Sequence, residues 1–312
     1  MITTKDKIGG IFSFGKNICD LVSGKSTKYS YTMYETSSAE ETKNIITSSS
    51  PSVLIFNYHP ALFPWISKET LTALVPIGVK TLGFYHEITH KIAETLTGSS
   101  PFDYWIAADP TLDTNNPCLF KIGRPVPEYE NKASLPLAIT IGTFGLGLSN
   151  KGFKRLALLV QDQFDSAIIK MHIPFGSRDP DGKNYVSNTI NEVKEALKKP
   201  TIKLELSHDF MSQTDLLDFL AGNTLNAFLY DDMPRGIAST TDYALAVERP
   251  IAITKTYMFR HLIGATPSIC VEDNSLPTII KNGFGPLVQF KQKWTAEALA
   301  AQYENMLDKV LS

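Results

Sequence analysis

Short apolar runs alternate along the chain with segments whose apolar residues recur at helical spacing. The runs that predict strands are SVLIFNY, VKTLGFY, DYWIAA, CLFKIG, LAITIGTF, AIIKMHI, IKLEL, NAFLY, PIAIT and SICV. Most of them are apolar almost throughout, which is typical of parallel strands that are covered on both faces. Their alternation with helical segments predicts an α/β fold with mostly parallel sheets.

The clearest helical pattern lies in KGFKRLALLVQDQF, where the apolar residues recur every three or four positions. The residues that share this face are Phe153, Leu156, Ala157, Val160 and Phe164. The other predicted helices run from STKYSYTMYE to EETKNIIT and through NTINEVKEALKK, QTDLLDFLA, STTDYALAVE and TAEALAAQYENMLDKVL. No repeat with a period of about 20 to 50 residues is evident.

The segment RPVPEYENKASLP, residues 124–136, interrupts this alternation with three prolines and mixed charges. Such composition is typical of a domain boundary. We therefore predict two Rossmann-like domains, residues 1–130 and 131–312, and expect the terminal helix to pack on either of them. Few strands are recognisable before the boundary, so the amino-terminal domain is predicted to be abbreviated.

Composition excludes several classes of protein. The net charge is −2, with 43% hydrophobic and 20% charged residues, and Lys/Arg pairs such as Lys198-Lys199 are not extended into a basic block. Nucleic-acid binding is therefore not indicated. No apolar run reaches the roughly 20 residues of a membrane span, and the first residues do not resemble a secretory signal. The cysteines, Cys19, Cys118 and Cys270, are three and far apart, which predicts a reducing cytoplasm and no disulfide framework.

The first stretch with candidate chemistry is GTFGLGLSNKGFKRL, which leads from a predicted strand into a predicted helix. Gly145 and Gly147 lie in the turn, and Lys151 stands at the helix start. A glycine-rich turn of this kind favours an anion, because it offers backbone N–H groups and the positive end of the helix dipole. The glycines do not have the G-x-G-x-x-G or Walker spacing. A tight turn with a solvated lysine is the structural alternative.

The second stretch follows the predicted strand NAFLY. Arg235 precedes a group of small hydroxyl residues, Ser239 and Thr240 among them, with Asp242 in the first turn of the next predicted helix. Ser239 and Asp242 have capping-box spacing, so an ordinary helix cap is the alternative. Ligands of open parallel sheets bind beyond the carboxyl ends of the strands. Both helix starts are therefore expected to face the same crevice and to hold one diphosphate.

Three blocks together resemble the carboxyl-terminal domain of nucleotide-sugar glycosyltransferases of the two-Rossmann-domain (GT-B) class, in particular its large retaining group. They are GTFGLGLSNKGFKRLALLVQ, SHDFMSQTDLLDFLAGNTLNAFLYDD and RGIASTTDYALAVERPIAIT, and the resemblance covers roughly residues 136–262. It implies a donor-binding second domain and an acceptor-side first domain. The implied reaction moves a sugar from a nucleoside diphosphate sugar to a hydroxyl of a glycan or glycoconjugate, with retention and with neither a metal nor another cofactor.

The resemblance assigns roles to single residues. Lys151 matches the diphosphate-binding lysine of the family and is a predicted catalytic residue, since negative charge develops on the departing diphosphate. His208 lies in the block that flanks the nucleotide base. The remaining predicted donor-binding residues are Gly145, Gly147, Arg235, Ser239, Thr240 and Asp242.

Two features of the family are missing from this sequence. The arginine that precedes the lysine is absent from GTFGLGLSN, and Arg235, Arg249 and Arg260 are the candidates to replace it. The pair of glutamates seven residues apart is also absent. Asp242 lies within one position of the second glutamate and is the candidate contact to ribose or sugar.

In the first half, LGFYHEITHKI resembles the family segment in which a histidine follows a strand and enters the cleft. His86 is the matching position and the second predicted catalytic residue. Asn57 and His59 follow another predicted strand, and with Glu87 they form the predicted acceptor side; polar residues at ordinary strand ends are the alternative. Gly9, with its neighbour Gly10, resembles the double-glycine turn that opens this class.

Residues 86–90 also have the form H-E-x-x-H. On a helix, with a third ligand, this spacing forms a zinc site. Here it follows a predicted strand, and no metal is expected. Three functions stay open: a glycosyltransferase, a catalytically silent nucleotide- or glycan-binding module of the same fold, and a zinc metallopeptidase that uses His86, Glu87 and His90.

Overall fold

The computed structural model describes residues 1–7, 10–98, 101–175 and 182–312. The chain forms two compact units. The first comprises Met1–Pro125, Arg235–Ile237 and Lys293–Ser312, and the second comprises Val126–Pro234 and Ala238–Gln292. The predicted boundary at residues 130–131 stays a prediction, and Gly9 lies outside the described residues.

Each unit is built on one parallel sheet, which confirms the predicted α/β fold with two parallel sheets. The strands are β1 (Ile2–Thr4), β2 (Tyr34–Thr36), β3 (Val53–Phe56), β4 (Lys80–Phe84), β5 (Tyr104–Ala107), β6 (Leu119–Lys121), β7 (Thr140–Phe144), β8 (Ala167–His172), β9 (Ile202–Ser207), β10 (Leu225–Phe228) and β11 (Ile251–Ile253). The first sheet has six strands in the order β2-β1-β3-β4-β5-β6, and the second has five in the order β11-β10-β7-β8-β9.

Helices follow most of the strands, as βαβ connections require. They are α1 (Gly10–Lys25), α2 (Ala39–Ser49), α3 (Lys68–Leu74), α4 (His90–Thr95), α5 (Phe153–Gln163), α6 (Gly182–Ala196), α7 (Gln213–Ala221), α8 (Thr240–Ala246), α9 (Leu276–Asn282), α10 (Val288–Lys293) and α11 (Ala296–Leu311). In the part of the chain that the structure describes, none of them is both long and apolar enough to cross a membrane.

Side-chain caps set the starts of several helices. The Ser38 hydroxyl accepts from the Glu41 backbone N–H before α2, and the Thr295 hydroxyl accepts from the Ala298 N–H before α11. Before α7, Ser212 and Asp215 form a reciprocal capping box. Each cap satisfies a backbone donor that the helix itself leaves unpaired, which is worth about 1 kcal/mol.

Both faces of the first sheet are covered, as its apolar strands predict. Ile55 and Leu82 face a cluster that contains Ile18 of α1 and Tyr303 of α11, so the terminal helix belongs to the first unit. Leu54 and its neighbours face a second cluster on the opposite side. Burying one such large apolar side chain stabilises the fold by about 1.5–3 kcal/mol. The two clusters therefore fix the position of the sheet and of the residues at its strand ends.

The structure corrects three predictions of local structure. Residues 34–36, which lie within the helical segment predicted from STKYSYTMYE to EETKNIIT, form strand β2 and pair with β1. The segment SICV contributes only an isolated bridge between Ile253 and Cys270. The first unit is also less abbreviated than predicted, because its six-stranded sheet includes β1 and β2, which are each three residues long.

Candidate functional site

The polar residues predicted to bind the donor follow strands of the second sheet. Gly145 follows β7, His208 follows β9, and Tyr230 lies two residues beyond β10. Because all the strands run parallel, these positions lie at one edge of the sheet. Open parallel sheets bind ligands at this edge, so it is the candidate site of the second unit.

The glycine turn between β7 and α5 has a fixed path. The Gly145 N–H donates to the His172 carbonyl at 3.1 Å. This N–H was predicted to bind phosphate, but it already forms a hydrogen bond within the sheet. Gly152 has φ +70°, and a methyl group there would overlap the Leu229 carbonyl oxygen. At Gly147 a methyl group would lie 2.9 Å from the Val186 Cα in α6. These glycines allow the turn to pack closely against β10 and α6.

Lys151 lies in a short 3-10 turn, Ser149–Lys151, directly before α5. Its Nζ is 3.9 Å from the centroid of the Tyr230 ring. Tyr230 is 1% exposed, and burial raises the pKa of its phenol to about 12, so the phenol is neutral at pH 7. An ammonium group at this distance from a buried ring is attracted to the ring face by about 0.5–2 kcal/mol.

The same tyrosine reaches the second predicted helix start. Its Oη donates to the Thr240 Oγ1 at 3.5 Å, a long hydrogen bond. The Oη also lies 3.5 Å from the position that a Cβ would take at Gly145. Tyr230 therefore contacts two residues that the sequence assigns to the donor, Lys151 and Thr240, and its Oη lies close to a third, Gly145.

The capping-box alternative at Ser239 is not formed. Its side chain makes no capping hydrogen bond, and only its backbone oxygen accepts from the Asp242 N–H, at 3.0 Å. The Thr241 hydroxyl bonds to the Ala238 carbonyl at 3.2 Å and pairs with the His261 Nε2 at 3.1 Å. Asp242, the predicted contact to ribose or sugar, is 1% exposed.

His208 forms an aromatic pair at the same sheet edge. Its Nδ1 lies 2.8 Å from the Ile173 carbonyl oxygen, which accepts only, so Nδ1 carries the hydrogen. The His208 ring is 5.1 Å from the ring of Phe175 and tilted by 34°, and Phe175 is 46% exposed. The pair offers flat apolar surface next to polar groups at the ends of β8 and β9.

The three arginines proposed to replace the missing one lie in different places. Arg235 belongs to the segment Arg235–Ile237 of the first unit, whereas Thr240 belongs to the second. Arg249 donates to the carbonyls of Ala221 at 2.8 Å and Ala133 at 2.6 Å, so it fastens the chain that enters β7. Arg260 donates to the Tyr257 carbonyl at 2.6 Å and lies over that ring.

The candidate site of the first unit centres on Asn57, which directly follows β3 and is fully buried. Its Nδ2 donates to the Thr3 Oγ1 at 3.0 Å and to the Ile11 carbonyl at 2.6 Å. These bonds fix the orientation of the amide, so its Oδ1 faces the His86 Nε2 at 3.0 Å. The structure thus brings together two residues that the sequence places at separate strand ends.

His86 has an unusually low pKa. Its ring packs against Phe14 and Phe84, with centroid distances of 5.0 and 5.8 Å. Although part of its surface stays accessible, burial among these atoms lowers the pKa to about 3, with a further lowering from the charges of His59 and Arg124. At pH 7 the imidazole is therefore neutral.

The neutral form of His86 has a defined tautomer. The Asn57 Oδ1 accepts a hydrogen bond from the His86 Nε2, so Nε2 carries the ring hydrogen and Nδ1 holds the lone pair. His86 can accept a hydrogen bond but does not act as an imidazolium acid at neutral pH.

The segment Arg235–Ile237 lies beside His86 within the first unit. A methyl group at Gly236 would overlap the His86 carbonyl oxygen, and Glu87 Cα would lie 3.2 Å from it. The remaining predicted acceptor-side residues flank this contact. Glu87 is exposed, and the His59 Nδ1 accepts from the Ala61 N–H at 3.3 Å.

The helical H-E-x-x-H arrangement of a zinc peptidase is not formed. His86 precedes the helix, and His90 is the first residue of α4. The His90 Nε2 lies 3.2 Å from the Thr111 carbonyl oxygen. Among the residues that the structure describes, no three His, Cys, Asp or Glu side chains are grouped so that they could hold a metal ion.

Reasoning from the sequence missed Tyr230 and Phe14. Tyr230 ends the apolar run NAFLY and reads there as one more strand residue. Phe14 lies in α1, whose pattern was not recognised as a helix. One signal could have identified Tyr230: it is an aromatic residue at the carboxyl end of a parallel strand, where side chains reach the edge of the sheet that binds ligands.

No protein-family model and no curated protein matches this sequence. Solved structures do match it over nearly the whole chain. A glycosyltransferase from Rickettsia africae ESF-5 is 13% identical with a TM-score of 0.57, covering 99% of this chain and 96% of its own. HepE from Anabaena, solved with UDP-glucose, is 10% identical with a TM-score of 0.63 and 99% coverage of both chains.

A third similar structure is AviGT4, a glycosyltransferase of avilamycin A biosynthesis. It is 11% identical with a TM-score of 0.63, covering 99% of this chain and 97% of its own. Identities this low establish the fold and no more. The chain has the GT-B fold of these glycosyltransferases, which confirms the fold that the resemblance implies.

Proposed function

We propose that the protein is a glycosyltransferase that moves a sugar from a nucleoside diphosphate sugar to a hydroxyl of a glycan or glycoconjugate. The observation that carries the proposal is the arrangement of Lys151 and Thr240 around the buried Tyr230 at the ligand edge of the second sheet. The GT-B fold supports it. Because HepE, with the same fold, was solved with UDP-glucose, uridine diphosphate sugars are the first donors to test.

In this reaction the bond between the anomeric carbon and the diphosphate oxygen breaks, and the acceptor oxygen forms the new bond. The proton of the acceptor hydroxyl passes to the departing diphosphate, so atoms and charge balance, and the proposed outcome is retention. The Lys151 ammonium and the first N–H groups of α5 stabilise the charge on the leaving group. This positive charge lets the transfer proceed without a metal or another cofactor.

On the first unit, we assign binding and orientation to the Asn57–His86 pair. The lone pair on the His86 Nδ1 accepts a hydrogen bond from a sugar or acceptor hydroxyl, since Nε2 is committed to Asn57. His59 and Glu87 contribute further polar contacts to the acceptor. In this role His86 directs a hydroxyl and does not supply a proton.

On the second unit, His208 and Phe175 are assigned to the nucleotide base. Their tilted rings present a flat surface of the kind on which bases stack. Ser239, Thr240 and the glycine turn around Gly147 complete the donor site. Asp242 is assigned to the ribose or sugar, as the resemblance implies.

The experiment measures donor binding and donor cleavage in matched variants. Thermal midpoints and release of the nucleoside diphosphate are followed with UDP-glucose and other nucleoside diphosphate sugars. Lys151→Met removes the charge, and Lys154→Met removes an exposed lysine from the first turn of α5 as a control. One hydrogen bond between charged groups is worth about 1.5–3 kcal/mol, so Lys151→Met should weaken binding by about 10- to 150-fold.

Two results would reject the proposal: no donor stabilises the wild type, or Lys151→Met binds as tightly as Lys154→Met. Release of nucleoside diphosphate that needs Lys151 supports it. Adding a chelator tests the metal-independent mechanism, because activity that falls with chelation would contradict it.

A silent binding module of the same fold is the second candidate. The observation that favours it is the buried Asp242, which stands in the block where the family carries its glutamate pair. A silent module predicts donor-dependent stabilisation without release of nucleoside diphosphate for any acceptor. Release above the uncatalysed rate would exclude it.

A further inference from the structure

We propose that Tyr230 is a positioning residue for the donor diphosphate, which sets the places of the Lys151 ammonium and the Thr240 hydroxyl relative to each other. The inference rests on the proposed function and adds to it a residue that touches no reacting atom. Its basis is that one buried side chain contacts both groups, the ammonium through the ring face and the hydroxyl through the phenol.

Tyr230 itself is held rigidly. Its carbonyl accepts from the Thr254 Oγ1 at 2.6 Å, and its ring packs on Phe259 with centroids 4.9 Å apart. With 1% of its surface exposed, the side chain has no room to change rotamer without displacing its neighbours. The ring is therefore a fixed reference at the carboxyl end of β10.

A ring face suits a phosphate-binding lysine better than a carboxylate does. A free lysine side chain samples many rotamers and loses about 2 kcal/mol of entropy when it is fixed. The ring face attracts the ammonium but carries no net charge, so the ring orders the lysine before the donor arrives without neutralising it. A carboxylate would order it equally well and would compete with the phosphate.

The phenol adds a second effect. Because it stays protonated at neutral pH, it donates to the Thr240 Oγ1 and does not introduce a negative charge next to the donor. A hydroxyl that accepts from Tyr230 directs its own hydrogen elsewhere, and a phosphate oxygen is a suitable acceptor. Tyr230 thus orients the Thr240 hydroxyl as a hydrogen-bond donor and orders the Lys151 ammonium, and both groups serve the same diphosphate.

The test replaces Tyr230 with phenylalanine and with phenylalanines carrying one, two or three ring fluorines, which keep the shape of the ring while making its face less negative. The dissociation constants of UDP and UDP-glucose are measured by calorimetry. The logarithm of the dissociation constant should rise steadily with each fluorine, by about two- to thirtyfold over the series. The same series in a Lys151→Met background should be flat.

A second readout separates positioning from loss of structure. Tyr230→Leu should raise KM for the donor and lower kcat, whereas a smaller folded fraction would lower kcat alone. Tyr230→Phe should recover the ring effect and keep only the loss at Thr240, a fewfold change. An unchanged KM in Tyr230→Leu would overturn the inference.

The outcomes distinguish this inference from the proposed function. If the wild type binds UDP-glucose but the fluorine series is flat, Tyr230 is a structural residue and the proposed function stands. If fluorination tightens binding, the ring competes with the donor for the lysine, which also overturns the inference. If no nucleoside diphosphate sugar and no pyrophosphate binds to the wild type, both proposals fail.

Discussion

Acid should destabilise the first unit through one residue, His86. The pKa of this imidazole is lowered to about 3 in the folded chain, chiefly by burial. In the unfolded chain a histidine has a pKa of about 6.5. Between these values the unfolded state binds a proton that the folded state does not, so stability falls as the pH falls. Above pH 6.5 the two states bind equally and the effect vanishes.

The size of the effect follows from the two pKa values. Each pH unit between them costs about 1.4 kcal/mol, so at pH 4.5 the loss relative to pH 8 is about 3 kcal/mol. Part of the ring stays accessible, and water there reduces the penalty. We expect a loss of about 1–3 kcal/mol that disappears in His86→Gln, which has no titrating group at this position.

Tryptophan fluorescence follows this unit alone, because Trp65, Trp105 and Trp294 all belong to it. Urea unfolding is measured from pH 4.5 to 8 for the wild type, for His86→Gln and for Ile88→Val. Ile88 is 2% exposed, and its truncation should cost about 1 kcal/mol at every pH. Its curve should therefore run parallel to the wild type, whereas the His86→Gln curve should converge on it toward acid.

Parallel curves for the wild type and His86→Gln would refute this reasoning. They would mean that the folded imidazole takes up a proton as easily as an unfolded one. An imidazole signal of His86 that titrates near pH 6.5 in NMR spectra would lead to the same conclusion. Either result would also remove the assignment of His86 as a neutral acceptor of a hydroxyl hydrogen bond.

Three further predictions concern close packing and the linker. Gly152→Ala should destabilise the second unit by about 1–3 kcal/mol in thermal unfolding, because φ is +70° and the methyl group meets the Leu229 carbonyl. If the variant were as stable as the wild type, the turn would have room for the methyl group. Gly236→Ala should lower the stability of the first unit in fluorescence-monitored urea unfolding, because its methyl group overlaps the His86 carbonyl; an unchanged midpoint would contradict this contact. Arg249→Met should cost about 1–3 kcal/mol in urea unfolding, since it leaves the carbonyls of Ala221, Ala133 and Ser134 without this donor. An unchanged stability would mean that water replaces the guanidinium.

The fold was predictable from the sequence where strands are long enough to show a pattern. Continuous apolar runs mark strands such as β4 and β8 because helices cover both faces of each sheet. β1 and β2 have three residues each, too few for a periodic signal. Tyr34 of β2 lies in a segment with helical spacing, and its pairing with Ile2 overrides that preference.

The candidate site was predictable only in part. Strand–turn–helix patterns locate Gly145, Lys151 and Thr240 because parallel sheets bind ligands beyond their carboxyl ends. The contacts among them depend on which strands are neighbours, and β10 lies beside β7 although two strands, β8 and β9, come between them in the sequence. No local pattern encodes this neighbourhood, so the sequence leaves Tyr230 unassigned.

The two candidate sites use burial in opposite ways, and this difference bears on their chemistry. In the second unit, the Lys151 ammonium lies over the buried ring of Tyr230, which attracts it and carries no net charge of its own. In the first unit, burial and the fixed amide of Asn57 keep His86 uncharged, so the unit offers a hydrogen-bond acceptor. The proposed function needs one group of each kind: a cation for the diphosphate and an uncharged partner for a sugar or acceptor hydroxyl. An imidazolium at His86 would also attract phosphate, so the neutral form of His86 favours hydroxyls.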